Sequence, residues 1–237
     1  TPTLSTCFLA FNTHRDALRD RGVREQIRDA LPIATLVDRL GTLAIPATRL
    51  FPPGLFGHES ARPRPPRSAS DTHTMLREPL LAGVFSVFSS SFFGFAREAV
   101  AAIEGAGVRV RLVVPEVKQI AGAGNASSFD LYFARFYSDY PEIDGFAYGF
   151  LHSRSGILGP ICGTAEMDEL IERGRAETNP VIRREIYRDL ERYVDEHALV
   201  VPLFHQQAFC FARPEVESFS VRRFFPTIPY EQLSLKR

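Results

Sequence analysis

Between Leu80 and Val114 the sequence runs strand, helix, strand, and few architectures accept that order. "LLAGVFSVFSS" reads as a buried strand, and the serines at 89 to 91 offer an N-cap for a helix. "FFGFAREAVAAIEGAG" then places Phe92, Phe95, Ala96, Ala99, Val100 and Ile103 on one helical face, with Gly105 and Gly107 as the stop. "VRVRLVV" alternates like a half-buried strand. Two parallel strands joined by a helix require a crossover, which is right-handed in nearly all known cases and buries both faces of the sheet. The pattern predicts strands over 80–88 and 108–114 and a helix over 92–104.

The rest of the chain supplies the other layers. "STCFLAFNT" is a short β-rich run, followed by Val23, Ile27 and Leu31 at helical spacing, with Leu36, Val37 and Leu40 continuing the apolar face. Pro32 should break that helix, because it lacks a backbone donor and clashes with the preceding turn. "IPATRLFPPGLFG" is a loop. Residues 58–79, rich in arginine and proline and poor in large apolar side chains, read as a flexible loop. A short connecting link leads from the 108–114 strand into a third strand over 129–136. Helices over 166–176 and 180–196 come next, the second with Asn179 as cap and Pro180 at its first position. "LVVPLFHQQAFCFARP" is a last extended run.

Composition removes several functions. The 237 residues are 45% hydrophobic and 24% charged, enough for a sizeable core in an ordinary globular protein. Twenty-eight basic and 28 acidic residues cancel, which argues against a nucleic-acid partner, since phosphate binding calls for a basic excess. No apolar run approaches the roughly 20 residues that cross a bilayer, and no secretory leader is visible. Cys7, Cys162 and Cys210 are widely spaced and suggest neither zinc nor a disulfide framework. Six scattered histidines show no metal spacing, and no phosphate loop, dinucleotide fingerprint or nucleophile elbow is present. The sequence therefore predicts no catalytic residue, no metal and no cofactor, and no enzymatic activity.

One stretch asks for an explanation. "FDLYFARFYSDYPEID", Phe129 to Asp144, begins as a buried strand and ends in acids and aromatics at a proline turn. It delivers Phe136, Tyr137, Asp139 and Tyr140 together at the strand exit. Either the strand presents this cluster to a ligand, or Asp139 merely caps the element beyond Pro141.

Two segments carry a resemblance that bears on this choice. "TCFLAFNTHRDALRDRGVREQIRDAL" resembles the segment opening the second lobe of bacterial extracytoplasmic solute-binding proteins of the peptide and nickel class (family 5). There a strand ending in F-N-T precedes a D-x-x-V-R-x-A-[LI] helix; Phe11, Asn12, Thr13, Asp20, Val23 and Arg24 match with a one-residue slip. "FDLYFARFYSDYPEIDGFAYGFLHS" is similar to that family's F-D-x-x-x-x-x-W-x-A-D-Y-P-D-P-D-x-F segment, with Phe136 in place of the tryptophan. The resemblance covers the chain except 58–79, and it corresponds to the second, C-terminal lobe only.

The resemblance implies an α/β fold: a single lobe of the type II periplasmic-binding-protein kind, with a mixed sheet flanked by helices. It divides the chain into a hinge and first-lobe strand at 1–11, a lobe body at 12–206, and a segment at 207–237 returning towards the first lobe. It implies a small solute, of peptide type, held between two lobes, with an ABC permease as further partner. Asp139 would take the ligand's ammonium group, Phe136, Tyr137 and Tyr140 would form wall, and Asn12 would lie near the hinge, either as a ligand contact or as a structural residue. The location would be periplasmic or extracytoplasmic. An alternative keeps the fold but makes it a ligand-sensing domain in a cytoplasmic signalling or transcriptional regulator. In either case the entering and leaving strands should run side by side, bringing 7–11 near 205–211 and Cys7 towards Cys210.

Overall fold

The computed structural model describes residues 1–55, 76–115, 128–218, 220–223 and 227–236. The loop expected over 58–79 lies outside the described residues except for 76–79, as does most of the link before the third strand.

A six-stranded mixed sheet forms the frame. It contains β1 (Ser5–Phe11), β2 (Ala44–Pro46), β3 (Leu80–Val84), β4 (Val110–Val113), β5 (Leu131–Tyr137) and β6 (Val200–Gln206) in the order β2-β6-β1-β5-β3-β4. β3 pairs parallel with both β4 and β5, as the strand–helix–strand pattern requires, and β1 pairs antiparallel with both β5 and β6. A small hairpin, β7 (Val216–Ser218) with β8 (Ser234–Leu235), stands apart from this sheet.

β1 corrects the expected division of the chain. The resemblance implies a hinge and first-lobe strand at residues 1–11, yet all seven residues of β1 are buried at the middle of this sheet. The physical reason lies in its composition. A strand covered on both faces needs a continuous apolar run, and "CFLAF" provides one. Cys7, Leu9 and Phe11 enter one core, while Phe8 and Ala10 enter the other.

Helices cover both faces. Over the first pack α1 (Asp16–Arg19), α2 (Arg21–Asp29), α3 (Ile33–Asp38) and α4 (Phe93–Gly105). Over the second pack α5 (Ile143–Leu151), α6 (Gly159–Cys162), α7 (Ala165–Ala176) and α8 (Pro180–Glu196). Pro32 breaks the chain between α2 and α3 as predicted. Asn179 caps α8 by accepting from Val181 N at 2.9 Å, with Pro180 in the first turn. The other end of α8 is closed by Arg24, a buried guanidinium that donates to the carbonyls of Leu18, Arg19, His197 and Ala198 at 2.6–3.2 Å. Four acceptors in a site with no paired carboxylate make Arg24 a clamp between α1 and α8, and burial pushes its pKa down.

β3 is shorter than its sequence predicts. The strand stops at Val84, because Phe85 N makes its last ladder bond to Phe133 O (2.8 Å) and Ser86 then turns to a left-handed φ of 54°. A 3-10 turn, Ser86–Ser89, comes next. It swings Phe88 into the first core, where its ring centre lies 5.7–6.2 Å from those of Phe92, Phe95, Phe133 and Phe204. The serines at 89–91 therefore do not cap α4; Ser89 Oγ donates instead to Ser86 O (2.7 Å) and Phe92 is the N-cap without a side-chain bond.

β1 and β6 do run side by side, but the register sets residues 7–10 opposite 200–204 rather than 205–211, with Cys7 opposite Phe204. Cys210 lies six residues past Phe204, roughly 20 Å along an extended chain, beyond the contacts of Thr1 with Ala208 and Pro2 with Gln207. All three cysteines are free. Burial pushes the Cys7 thiol well up and Cys162 to about 12, so neither forms a thiolate at neutral pH. A maleimide reagent should label one thiol per chain, Cys210, quickly in the native state and all three after unfolding. Labelling of Cys7 or Cys162 at the rate of Cys210 would contradict this packing.

Candidate functional site

β5 leaves the sheet at Tyr137, and the residues after it form a tight, well-bonded turn. Ser138 N donates to Leu4 O at 2.8 Å, and Ser138 Oγ and Glu142 N both donate to Tyr140 O at 2.7 and 2.8 Å. α5 then begins. Its cap is Glu142, whose carboxylate accepts from Ile143 N at 2.9 Å. That removes the capping role left open for Asp139.

The three carboxylates of this turn now differ sharply. Glu142 is engaged as cap and by Arg183 at 3.0 Å, and Asp144 by Arg175 at 3.2 Å. Asp139 is exposed and makes no hydrogen bond or ion pair among the described residues. It is the uncommitted acid at the strand exit.

The neighbouring aromatics are shaped by packing. Phe136 stacks on Phe150 and meets Phe146 edge-on, both at 4.8 Å between centres, so it closes the second core from the exit side. Tyr137 donates from its hydroxyl to Arg223 O (3.2 Å), and burial raises its pKa. Tyr140 lies over α5 at Gly145, where any Cβ would come within 2.6 Å of the ring. A side chain at that position would displace the ring. Tyr140 remains 48% exposed, so one edge still faces the exit.

Sequence reasoning passes over Arg135, two residues before the strand end. Its Nη1 donates to Gln206 Oε1 at 2.7 Å, across β1, and its guanidinium carbon lies 6.0 Å from the Tyr137 ring centre. The signal is present, since a charge in an apolar strand breaks the pattern, but simple alternation accounts for it as well.

Asn12 does not join this cluster. The β1–β5 ladder pairs Ser5 with Tyr137 and Phe11 with Leu131, which puts Asn12 at the opposite end of the sheet, roughly 20 Å away. There it is buried and committed: Nδ2 donates to Phe129 O (3.0 Å) and Oδ1 accepts from His14 N (3.2 Å). Next to it, Asp130 accepts from Leu81 N and from Arg15 Nε, both at 2.7 Å. A groove of about 660 Å³ opens at this end, lined in part by Arg15, Arg111, Leu81 and Asp130. Its most buried charge is already paired, so the groove offers less unspent polarity than the strand exit. Asn12 is thus a strand-end lock. Asn12→Ala should lower unfolding free energy by about 1–3 kcal/mol in urea titration, and leave ligand affinity of the full-length protein within about twofold.

Among the described residues no cluster of three or more His, Cys, Asp or Glu side chains could hold a metal ion, and no helix is long and apolar enough to cross a membrane.

No family model matches the sequence. The probable di/tripeptide-binding protein 5 of Pseudomonas aeruginosa (strain UCBPP-PA14) is 25% identical over 236 residues, covering 94% of this chain and 45% of that protein. Among solved structures, HbpA2 from Haemophilus parasuis superposes with a TM-score of 0.83 at 18% identity, covering 100% of this chain and 49% of its own. The dipeptide binding protein from Pseudoalteromonas sp. SM9913 in complex with Met-Leu gives 0.77 at 18% identity, covering 99% and 49%. The chain spans about half the length of the relatives it matches. It is similar over this length to bacterial peptide-binding proteins and shares the α/β fold of one of their lobes, the fold that its two sequence motifs implied.

Proposed function

We propose that this chain is the C-terminal ligand-binding lobe of an extracytoplasmic solute receptor that delivers short peptides to an ABC permease. The observation that carries this reading is Asp139: an acid at a strand exit, beside aromatic side chains, without a partner among the described residues while both nearby acids are engaged. In open α/β sheets, ligands gather beyond the carboxyl ends of the parallel strands, and β5 ends there. A carboxylate in a closing cleft suits a ligand ammonium group, in a charge-assisted bond of about 1.5–3 kcal/mol.

The other half of the cleft would come from a first lobe. The exit side supports such a partner, since Phe209 and Phe211, just past β6, are 49% and 96% exposed, and Leu43, whose carbonyl accepts from Gln207 N, is 53% exposed. Residues 207–237 would form the segment that returns towards that lobe, with the hinge beyond Ser5 rather than at Phe11. Phe136, Tyr137 and Tyr140 would form the apolar wall. The work is binding and release, with no chemical step. Nothing in the fold or the comparisons favours the regulatory alternative.

In the full-length protein, Asp139→Asn should weaken binding of tri-alanine by about 10- to 100-fold in calorimetry. Binding of N-acetyl-tri-alanine, already weak, should stay unchanged. An equal loss for both peptides would assign Asp139 a structural role and remove the support for this reading.

A further inference from the structure

Resting on that reading, we infer that Arg183 of α8 is a positioning residue for the ligand, which acts through Glu142 to fix the turn that presents Asp139.

The turn from Ser138 to Glu142 carries Asp139 near its start, and Asp139 adds no side-chain bond of its own among the described residues. The entry is anchored to the residue before β1, since Ser138 N donates to Leu4 O at 2.8 Å. Tyr140 O, which accepts from Ser138 Oγ and Glu142 N, folds the middle. The exit depends on Glu142. Its Oε1 accepts from Ile143 N at 2.9 Å and pairs with Arg183 Nη1 at 3.0 Å. A long, half-buried side chain held only by the next amide in the chain would keep other rotamers open. The charge on α8 selects the one that caps α5. The nearby pair of Asp144 with Arg175 lies within α5, beyond the turn, and leaves this task to Arg183.

Arg183 can select a rotamer because its own is fixed. Nε donates to Gly174 O (2.9 Å) in the last turn of α7, and the guanidinium carbon lies 5.5 Å from the Tyr187 ring centre. Tyr187 in turn sits against Gly174, where a Cβ would come within 2.8 Å of the ring. The Arg183 side chain is only 18% exposed. Exposed ion pairs contribute little, because both partners must be ordered and water screens them. Here the cation is ordered and covered before it meets the acid. One planar group thus holds α7 through Nε and the turn through Nη1. A bond from a ligand ammonium to Asp139 is directional, so a turn free to shift would weaken that bond without unfolding the lobe.

A double-mutant cycle on the full-length protein, with tri-alanine binding followed by calorimetry, tests this. Arg183→Met keeps an apolar stem over Tyr187 and removes the charge. It should weaken binding about three- to tenfold, and Arg183→Lys should recover most of that loss. In an Asp139→Asn background, Arg183→Met should change affinity by less than about twofold, because the charge that it orients is already gone. The stoichiometry of each titration reports the folded fraction, which separates misfolding from weaker binding. A purely structural role would cost equal affinity in both backgrounds. That equal cost, or an unchanged affinity in Arg183→Met, would overturn the inference alone. An unchanged affinity in Asp139→Asn would overturn the proposed function, and this inference with it.

Discussion

The antiparallel ladder between β1 and β5 is the constraint on which the rest of this structure depends. Seven consecutive pairs, from Ser5 opposite Tyr137 to Phe11 opposite Leu131, lie between two helical layers. Side chains alternate between faces along a strand, so a slip of one residue would send Cys7, Leu9 and Phe11 into the wrong core. It would also move Asp139 relative to the sheet edge. The ladder thus does two jobs at once. It divides the apolar residues between the two cores, and it decides which polar residues emerge at which end.

The two ends are built from different chemistry. At one, Asn12, Arg15, Asp130 and Leu81 N form a closed set of hydrogen bonds that ties β1, β3 and β5 together. Buried polar groups arranged in this way specify register, because each would lose its partner in any alternative pairing. At the other end the bonding is less complete. Ser138 and Glu142 finish the turn, but Asp139 has no partner among the described residues, and Arg135 has only Gln206. Closure at one end and open valence at the other is the arrangement expected of a scaffold that holds a site rigid from behind. The site and its anchor are joined by one strand, so placement of the anchor also places the site.

Much of the architecture is legible in the sequence, and the failures have physical causes. The α8 start is readable because Asn-Pro at a helix entry satisfies the first free amides and uses a residue that needs no donor there. β5 and its turn are readable because apolar alternation gives way abruptly to acids, aromatics and proline. The cap at 89–91 fails because the left-handed Ser86, a tertiary consequence of seating Phe88, changes the path before the serines are reached. β1 reads as lying outside the lobe because a short apolar run looks the same in a hinge and in a sheet centre. Asn12 groups with the site in the sequence because it belongs to a neighbouring motif, and motif order carries no information about which end of a ladder a residue occupies. For the acids, sequence cannot separate cap from ligand group; only the observed bond from Ile143 N to Glu142 distinguishes them.

The central claim is that this ladder delivers an uncommitted acid to a ligand cleft at the exit of β5. A crystal structure of the full-length protein with bound tri-alanine tests it most directly. The account predicts the peptide ammonium within hydrogen-bond distance, about 2.7–3.0 Å, of an Asp139 carboxylate oxygen, with the peptide lying across the exit of β5. A peptide seated instead at the Asn12 and Asp130 end, with Asp139 still facing solvent, would contradict it.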